Sequence, residues 1–144
     1  MIATLALLAM AQYINPPTLL KNPRYTQVMK LPTGEIIVSG QAGQKVDGSL
    51  AGPDFESQAA QALENVRLAL AAAGAKPADI VRINTYIVDI DKNIAAYRDA
   101  RDKFFEGVPR RPASTTIGIS SLVMTGGLIE IEVTAFKPDQ LVRQ

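Results

Sequence analysis

Two carboxylates near the C-terminal end of the chain are the residues whose types and spacing first suggest chemistry. Glu130 and Glu132 alternate with apolar residues through the segment 128–136. A β-strand with this alternation presents both carboxylates on one face of a sheet and an apolar row on the other. The apolar face is expected to join the core, which leaves the carboxylate face free to bind a ligand or to activate water.

A Pro-rich segment comes shortly before these carboxylates. Pro112 cannot donate to a central strand ladder, so we expect a strand to begin at Ala113 or Ser114. This start places the Ser114 hydroxyl at the mouth of any cavity that the sheet lines, and we predict a site between Ser114 and Glu130. Because no His or Lys is adjacent to activate it, the Ser114 hydroxyl is better suited to donating a hydrogen bond than to nucleophilic attack.

The composition limits which chemistry is available. The 144 residues contain no His and no Cys, which excludes Ser-His triads, cysteine nucleophiles, disulfides and thiolate metal sites. We expect neither a metal nor a cofactor, so any catalysis must use carboxylates, hydroxyls, amines, Tyr, backbone groups or water. Lys and Arg number 15 against 14 Asp and Glu, and this balance does not indicate a nucleic-acid partner.

The N-terminal residues are apolar and end in Ala9-Met10-Ala11, a small-residue pattern of the kind cleaved after a signal peptide. However, residues 1–11 contain no Lys or Arg and are fewer than the usual ~15–30, and also fewer than the ~20 that span a bilayer. We therefore predict a hydrophobic extension or signal-like segment at 1–14 and a single domain at 15–144. We expect a cytoplasmic protein without a membrane partner, and export is the alternative.

Short alternating runs predict a hairpin near the start of the domain. Its strands are expected at residues 25–30 and 35–39, joined at Pro32-Thr33-Gly34. Ser39 and Gly40 follow directly, and the glycine permits a close backbone approach, a bulge or a plain strand end.

Periodic apolar residues predict two helices. The first begins after Asp54, a good N-cap, and ends before Gly74, a good C′ residue. The second is expected to be capped by Asp91 and to end at Gly107. Its inward positions are predicted to be Ile94, Tyr97, Ala100 or Arg101, and Phe104.

The order of these elements allows both helices to pack on one face of a single mixed sheet, which is an α+β fold. In the β-branched run 80–88, the face beneath the helices is predicted to carry Val81, Ile83, Thr85 and Ile87. The opposite face then carries Arg82, Asn84, Tyr86, Glu130, Glu132 and Thr134, together with Leu128 and Phe136. No predicted helix covers that face, and self-association is the simplest way to bury it.

Six segments between about Tyr25 and Phe136 occur in a characteristic order and spacing. They are Arg24-Tyr25-Thr26-Gln27, Ile36-Ile37-Val38-Ser39-Gly40-Gln41, Gln58 with Leu63-Glu64-Asn65-Val66, Ala72-Ala73-Gly74-Ala75, Asp79-Ile80-Val81 and Ile129-Glu130-Ile131-Glu132. Together they resemble the Rid (reactive intermediate deaminase) family, also known as the YjgF or endoribonuclease L-PSP family. No single segment is specific to this family, but the six segments in this order and spacing are hard to obtain by chance.

The resemblance implies a chorismate-mutase-like α+β fold and a homotrimer whose sheets form a central barrel, with clefts between subunits for a small-molecule ligand. Active members hydrolyse enamines and imines such as those released from serine and threonine by pyridoxal-phosphate enzymes. Carried over residue by residue, the resemblance assigns the water-positioning glutamate to Glu130. It assigns substrate-binding positions to Tyr25, Ser39, Gly40 and Thr116.

Two positions depart from the family pattern. The Arg that holds the substrate carboxylate falls on Ser114, because members with Pro-Ala-Arg-Thr-Thr-Val-Gly-Val align with residues 112–119. An Asn on the second helix falls on Arg98. The chain therefore resembles a branch without the carboxylate clamp, and we expect weak activity on amino-acid-derived imines. Arg98, Arg110 and Arg111 are the candidates to restore the charge from another backbone position.

Two function classes stay open at this stage. One is an enzyme that hydrolyses an enamine, an imine or a related small nitrogen compound with water positioned by Glu130. The other is a non-catalytic binding or regulatory trimer on the same scaffold, because a fold alone does not choose a function. Ribonuclease activity is disfavoured by the balanced charge and the absence of His.

Overall fold

The chain forms one sheet with two α-helices in the computed structural model, which describes residues 10–138. The helices are α1 (Phe55–Ala72) and α2 (Ile90–Phe104), and a 3-10 turn at Pro77–Asp79 precedes the fourth strand. The strands are β1 (Gln12–Ile14), β2 (Val28–Lys30), β3 (Glu35–Ala42), β4 (Ile80–Val88), β5 (Ala113–Ile119) and β6 (Ile129–Phe136).

The sheet is mixed, with the strand order β1-β2-β3-β6-β4-β5. Among the described strands, only β4 and β5 pair in parallel, and α2 forms the crossover between them. α1 packs on β3 and β6, α2 packs on β4 and β5, and the two helices contact each other. The predicted α+β class, with both helices on one face of a single mixed sheet, is therefore confirmed.

The core lies between this sheet and the helices. The Asp54 side chain accepts a hydrogen bond from the backbone N of Ser57 at 2.8 Å, and Gly74 follows the helix with a φ of +76°. Both predicted ends of α1 are thus confirmed. Apolar residues on the facing surfaces are fully buried, and they include Ala59, Val66 and Leu70 of α1 and Ile129, Ile131 and Ala135 of β6.

The N-terminal strands differ from the prediction. The strand expected at 25–30 begins only at Val28, because the backbone N of Gln27 donates to the Asn15 side chain and that of Arg24 to Asn22. β3 continues past Ser39 to Ala42. β1, which was not predicted, pairs with β2 and comes from the stretch assigned to the N-terminal extension. Residues 1–9 of that stretch lie outside the described residues.

Two apolar residues expected on particular faces lie elsewhere. The pairing of β4 with β6 shifts register between Ile80 and Arg82, so Ile80 enters the core at 6% exposure and Val81 is 48% exposed. Placing Val81 on the buried face was wrong, because an extra residue reverses the alternation there. Leu128 precedes β6 and packs against the core, so it is not on the uncovered face.

α2 begins two residues earlier than predicted. Asp89 is the N-cap residue, with a φ of +51° and no capping hydrogen bond from its side chain, and Asp91 lies in the first turn. The assignment of Asp91 as the cap was therefore wrong, although its charge still favours a helix N-terminus. The inward residues are confirmed: Tyr97 is fully buried, and Ile94, Ala100 and Phe104 pack against the core.

The sheet face opposite the helices carries apolar side chains. Ile37 pairs with Thr134 and Ile117 with Tyr86, which places both on the same face as Phe136. These three side chains, Ile37, Ile117 and Phe136, are 42–50% exposed. Within the described part of the chain, no helix covers this face and β5 has one unpaired edge. In residues 10–138, no helix combines the length and the apolar character needed to cross a membrane.

Candidate functional site

A cavity of about 510 Å³ opens beside the far end of β3. It brings together four of the residues predicted for the site: Glu130, Tyr25, Ser39 and Gly40. Its remaining lining residues are Leu20, Asn22, Arg24, Gln27, Gln41, Ala42, Gln44, Asn65, Val123 and Met124. The cavity is thus built from the loop before β2, the end of β3, Asn65 of α1, the loop between β5 and β6, and the beginning of β6.

A bulge in β3 forms one wall of the cavity. Val38 pairs with Val133 but Gln41 pairs with Ile131, so β3 has one residue more than β6 across this interval. A Cβ atom on Gly40, which lies in the bulge, would come within 2.7 Å of the carboxylate carbon of Glu130. The bulge and the close approach that the sequence allowed at Gly40 are therefore both present.

Glu130 is a half-buried carboxylate with a raised pKa. Burial raises its pKa above the ordinary value, and the nearby charge of Glu132 raises the pKa further. Its carboxylate receives no hydrogen bond from any residue in the range 10–138. A half-buried carboxylate with an elevated pKa and free lone pairs can accept a proton from water.

Glu132, one alternation further along β6, is placed differently. Its Oε1 accepts hydrogen bonds from Nδ2 of Asn84 at 2.9 Å and from the hydroxyl of Tyr86 at 3.1 Å. The bond to Glu132, together with burial, raises the pKa of Tyr86, which keeps the phenol protonated as a donor. Glu132 therefore holds Asn84 and Tyr86 in place on the polar face of the sheet.

Buried amides hold the cavity floor in place. Nε2 of Gln41 donates to Oε1 of Gln27 at 2.8 Å and to the carbonyl of Ser39 at 2.9 Å. Nε2 of Gln27 donates to the carbonyl of Leu20 at 2.7 Å. The Ser39 hydroxyl donates to the carbonyl of Thr26 at 2.6 Å. The proton of Ser39 is thus already used, and its oxygen can offer only lone pairs to a ligand.

Two amides on α1 position the strands that carry the site. Nδ2 of Asn65 donates to the carbonyls of Ala42 and Gln44, which fixes the end of β3. The fully buried Gln58 donates to the carbonyls of Gly52 and Gly126 and accepts from the backbone N of Leu128. Sequence reasoning assigned neither residue a role, although each is a polar residue within the apolar stripe of the helix.

The fold and this site can be compared with known proteins. The sequence model of the family described as "Endoribonuclease L-PSP" matches residues 18–137 of the chain, which is most of its length. The chain belongs to this family. The resemblance to the Rid family, as the L-PSP family is also known, is thereby confirmed.

Relatives of this L-PSP family chain cover most of its length. It is 31% identical over 113 residues to a RutC family protein of Aquifex aeolicus, covering 78% of this chain and 88% of that protein. It is 30% identical over 100 residues to a 2-iminobutanoate/2-iminopropanoate deaminase of Dermatophagoides farinae, covering 68% of this chain and 74% of that protein. The crystal structure of the Rid family protein YyfA of Yersinia pestis matches with a TM-score of 0.82 and 30% identity, covering 88% of this chain and 99% of that one.

The loop before β2 contributes two cavity residues in this L-PSP family member. Tyr25 was predicted in a strand, but it lies in the loop and is exposed. Arg24 lines the same cavity, and sequence reasoning missed it as a site residue. The one sequence feature that could have indicated Arg24 was its position directly before Tyr25. Its cavity neighbours on β3 and β6 are distant along the chain, so local spacing does not identify them.

Ser114 and Thr116 lie away from the cavity. Both are on β5, where Ser114 pairs with Ile83 and Thr116 with Thr85. Because Ile83 and Thr85 are buried beneath the helices, Ser114 and Thr116 are on the helix-covered face of the sheet. β5 is two strands from β6 in the sheet, which is a separation of roughly 10 Å. One copy of this L-PSP family chain therefore does not bring Ser114 and Glu130 together.

The three other arginines considered for the site also lie outside the cavity. Arg98 is exposed on α2, and Arg110 is exposed in the segment before β5. Nη1 of Arg111 donates to the carbonyls of Phe105 and Val108, and its guanidinium lies 5.5 Å from the centre of the Phe105 ring. Arg111 thus caps the C-terminal end of α2.

Proposed function

We propose that this Rid family protein hydrolyses a small imine, enamine or related nitrogen compound in the cavity at Glu130. The observation that carries the proposal is the Glu130 carboxylate, which is free of hydrogen bonds within residues 10–138, has a raised pKa and lies in a cavity against Gly40. Such a group suits a general base that positions and deprotonates a water molecule.

The reaction follows from that role. Water attacks the carbon of the C=N bond, and its proton passes to Glu130 as the new C–O bond forms. The proton then moves to the nitrogen, which gives a carbinolamine. A second proton, from the new hydroxyl group, passes to the nitrogen as the C=O bond forms and the C–N bond breaks, and the products are a carbonyl compound and ammonia. The deaminase relative of Dermatophagoides farinae supports this class of chemistry. We propose that imines derived from amino acids are poor substrates, because Ser114 offers no charge to their carboxylate.

The proposal includes a homotrimer with the cleft between subunits. The apolar side chains on the uncovered sheet face, Ile37, Ile117 and Phe136, and the open edge of β5 support self-association. Assembly would bring Ser114 and Thr116 of one subunit to the cavity of the next, although one chain keeps them apart. A cytoplasmic location is also part of the proposal.

A non-catalytic binding function is the second candidate. It is favoured by Ser114, which stands where the resemblance expects the Arg that holds a substrate carboxylate. A trimer that keeps a cavity of about 510 Å³ but lacks this clamp can bind a small molecule without turning it over.

Ammonia release from freshly generated imines separates the two functions. The panel contains 2-iminopropionate and neutral imines, assayed with wild type, Glu130→Gln and the control Glu56→Gln, which changes an exposed carboxylate on α1. We expect Glu130→Gln to lower turnover by about 100-fold or more, as loss of a general base does. Equal turnover in wild type and Glu130→Gln contradicts the proposal. Ligand binding with no turnover of any imine supports the non-catalytic function.

A further inference from the structure

The cavity beside Glu130 has an uneven distribution of charge. Among the described residues that line it, Arg24 is the only cation and Glu130 the only carboxylate. Arg24 also lines a second depression of about 420 Å³ on the same loop, together with Lys21. The loop side of the cavity is therefore positively charged, and the β6 side is negatively charged.

Arg24 is available to a ligand. Its guanidinium forms no ion pair with any residue between 10 and 138, whereas its backbone N donates to the Asn22 side chain at 2.9 Å. Gln27 anchors the other end of the loop through Asn15 and Leu20. Hydrogen bonds thus hold the loop before a ligand arrives, so binding has to order only the side chain of Arg24.

These charges define one favourable orientation for a ligand with a single anionic group. An anion next to Glu130 would meet that carboxylate and, one alternation along β6, the charge of Glu132. An anion at Arg24 instead accepts two parallel N–H groups of a guanidinium. The carboxylate of the ligand therefore belongs at the loop, and its reacting carbon belongs at Glu130.

The size of the cavity indicates how large a ligand it can hold. A volume of about 510 Å³ falls in the range of roughly 300–1,000 Å³ that holds drug-sized ligands, and it exceeds what a three-carbon imino acid fills. We propose that Arg24 is a specificity residue that selects ligands whose carboxylate lies several bonds from the reacting carbon. The identity of the reacting carbon rests on the proposed function, whereas the binding of a carboxylate by Arg24 does not depend on it.

Stable ketones test this selection, because their carbonyl oxygen stands in for the imine nitrogen. The probes are 4-oxopentanoate, its uncharged methyl ester and pyruvate, titrated calorimetrically into wild type, Arg24→Gln, Arg24→Lys and the control Arg67→Gln. Arg67 is exposed on α1 and does not line the cavity. We expect wild type to bind 4-oxopentanoate about tenfold more tightly than either other probe, as one charge-assisted contact at an exposed arginine provides.

Arg24→Gln is expected to remove this preference, Arg24→Lys to keep part of it and Arg67→Gln to keep all of it. The preference should also weaken as ionic strength rises. The inference is wrong if wild type binds the acid and the ester equally, if it binds neither, or if Arg24→Gln leaves their ratio unchanged. Circular dichroism of each variant verifies folding.

The binding experiment and the ammonia assay test separate claims, so one claim can be contradicted while the other holds. Turnover without any dependence on Arg24 contradicts only the selection of remote carboxylates. Selective binding of 4-oxopentanoate through Arg24, with no turnover in any assay, contradicts only hydrolysis.

Discussion

The carboxylate of Glu130 lies against the backbone of Gly40, so closely that a Cβ atom at position 40 would require the carboxylate to move. Gly40 is in the bulge of β3, and Glu130 is on the neighbouring strand β6. The glycine therefore has a chemical role as well as a conformational one, because it leaves the space in which the carboxylate sits.

Replacing Gly40 by Ala should displace the Glu130 carboxylate. We expect ammonia release to fall by about 100-fold, as a displacement of about 1 Å can cause, and the free energy of unfolding in urea to fall by about 1–3 kcal/mol from overpacking. In a Glu130→Ala background the same substitution should cost much less stability. An unchanged cost in that background would mean that the backbone, and not the carboxylate, limits position 40.

Replacing Glu130 by Gln should stabilise the protein at neutral pH. The pKa of Glu130 is raised in the folded state, so its charge opposes folding once the pH exceeds the ordinary carboxyl range. This loss of stability is absent at a pH where the carboxyl is protonated in both the folded and the unfolded state. It reaches its full size at a pH above the raised pKa of the folded state. The thermal midpoint of Glu130→Gln should exceed that of wild type at pH 7, and the difference should shrink toward about pH 3.5. A difference that is equal at both pH values would contradict the assigned cause.

Replacing Glu132 by Gln should shift the pH dependence of turnover. The charge of Glu132 is the smaller of the two causes that raise the pKa of Glu130, so its removal lowers that pKa. Because the reaction needs deprotonated Glu130, the acid limb of the kcat/KM profile should move to lower pH. The pKa of Tyr86 should fall as well, which ultraviolet titration of the phenol can measure. Glu56→Gln is the matched control, and an acid limb that does not move would contradict the coupling of the two carboxylates.

Replacing Ser114 by Arg should improve turnover of 2-iminopropionate. An Arg at this position supplies a charge-assisted pair with the substrate carboxylate, and we expect kcat/KM to rise at least tenfold. Adding Glu130→Gln to Ser114→Arg should remove the gain. Tighter binding without faster turnover would indicate a scaffold that lacks the geometry for hydrolysis, and a wild type that already turns over this imine efficiently would contradict the prediction.

Placing a cation at position 132 should weaken self-association. Glu132 lies on the uncovered sheet face, where copies of the same side chain converge in a trimer, whereas Glu56 is exposed on α1. Sedimentation should show Glu132→Lys dissociating at a higher protein concentration than Glu56→Lys. Equal behaviour of the two variants, or a wild type that is monomeric at micromolar concentration, would contradict the proposed assembly.

Sequence patterns predicted those features that depend on neighbouring residues. The alternation through Glu130 and Glu132 described β6 correctly, and Asp54 and Gly74 marked the ends of α1. Val81 was misplaced because its face depends on a register shift between β4 and β6, which local periodicity does not contain.

The site was predictable only in part, for the same reason. Gly40 and Glu130 were identified from short motifs, but their contact arises from the pairing of β3 with β6. Arg24 was missed because its cavity partners lie far away along the chain. Ser114 was expected near Glu130, but the strand order places β4 between their strands.

The pairing of β3 with β6 also determines when the site can exist during folding. α1, β4, α2 and β5 all lie between these two strands along the chain, and we expect their pairing to form late because closing a longer loop costs more entropy. Glu130 comes to lie beside Gly40 and the other cavity residues only through this pairing. A ligand of this cavity therefore recognises the completed sheet only, and its binding energy stabilises the whole fold as one cooperative unit.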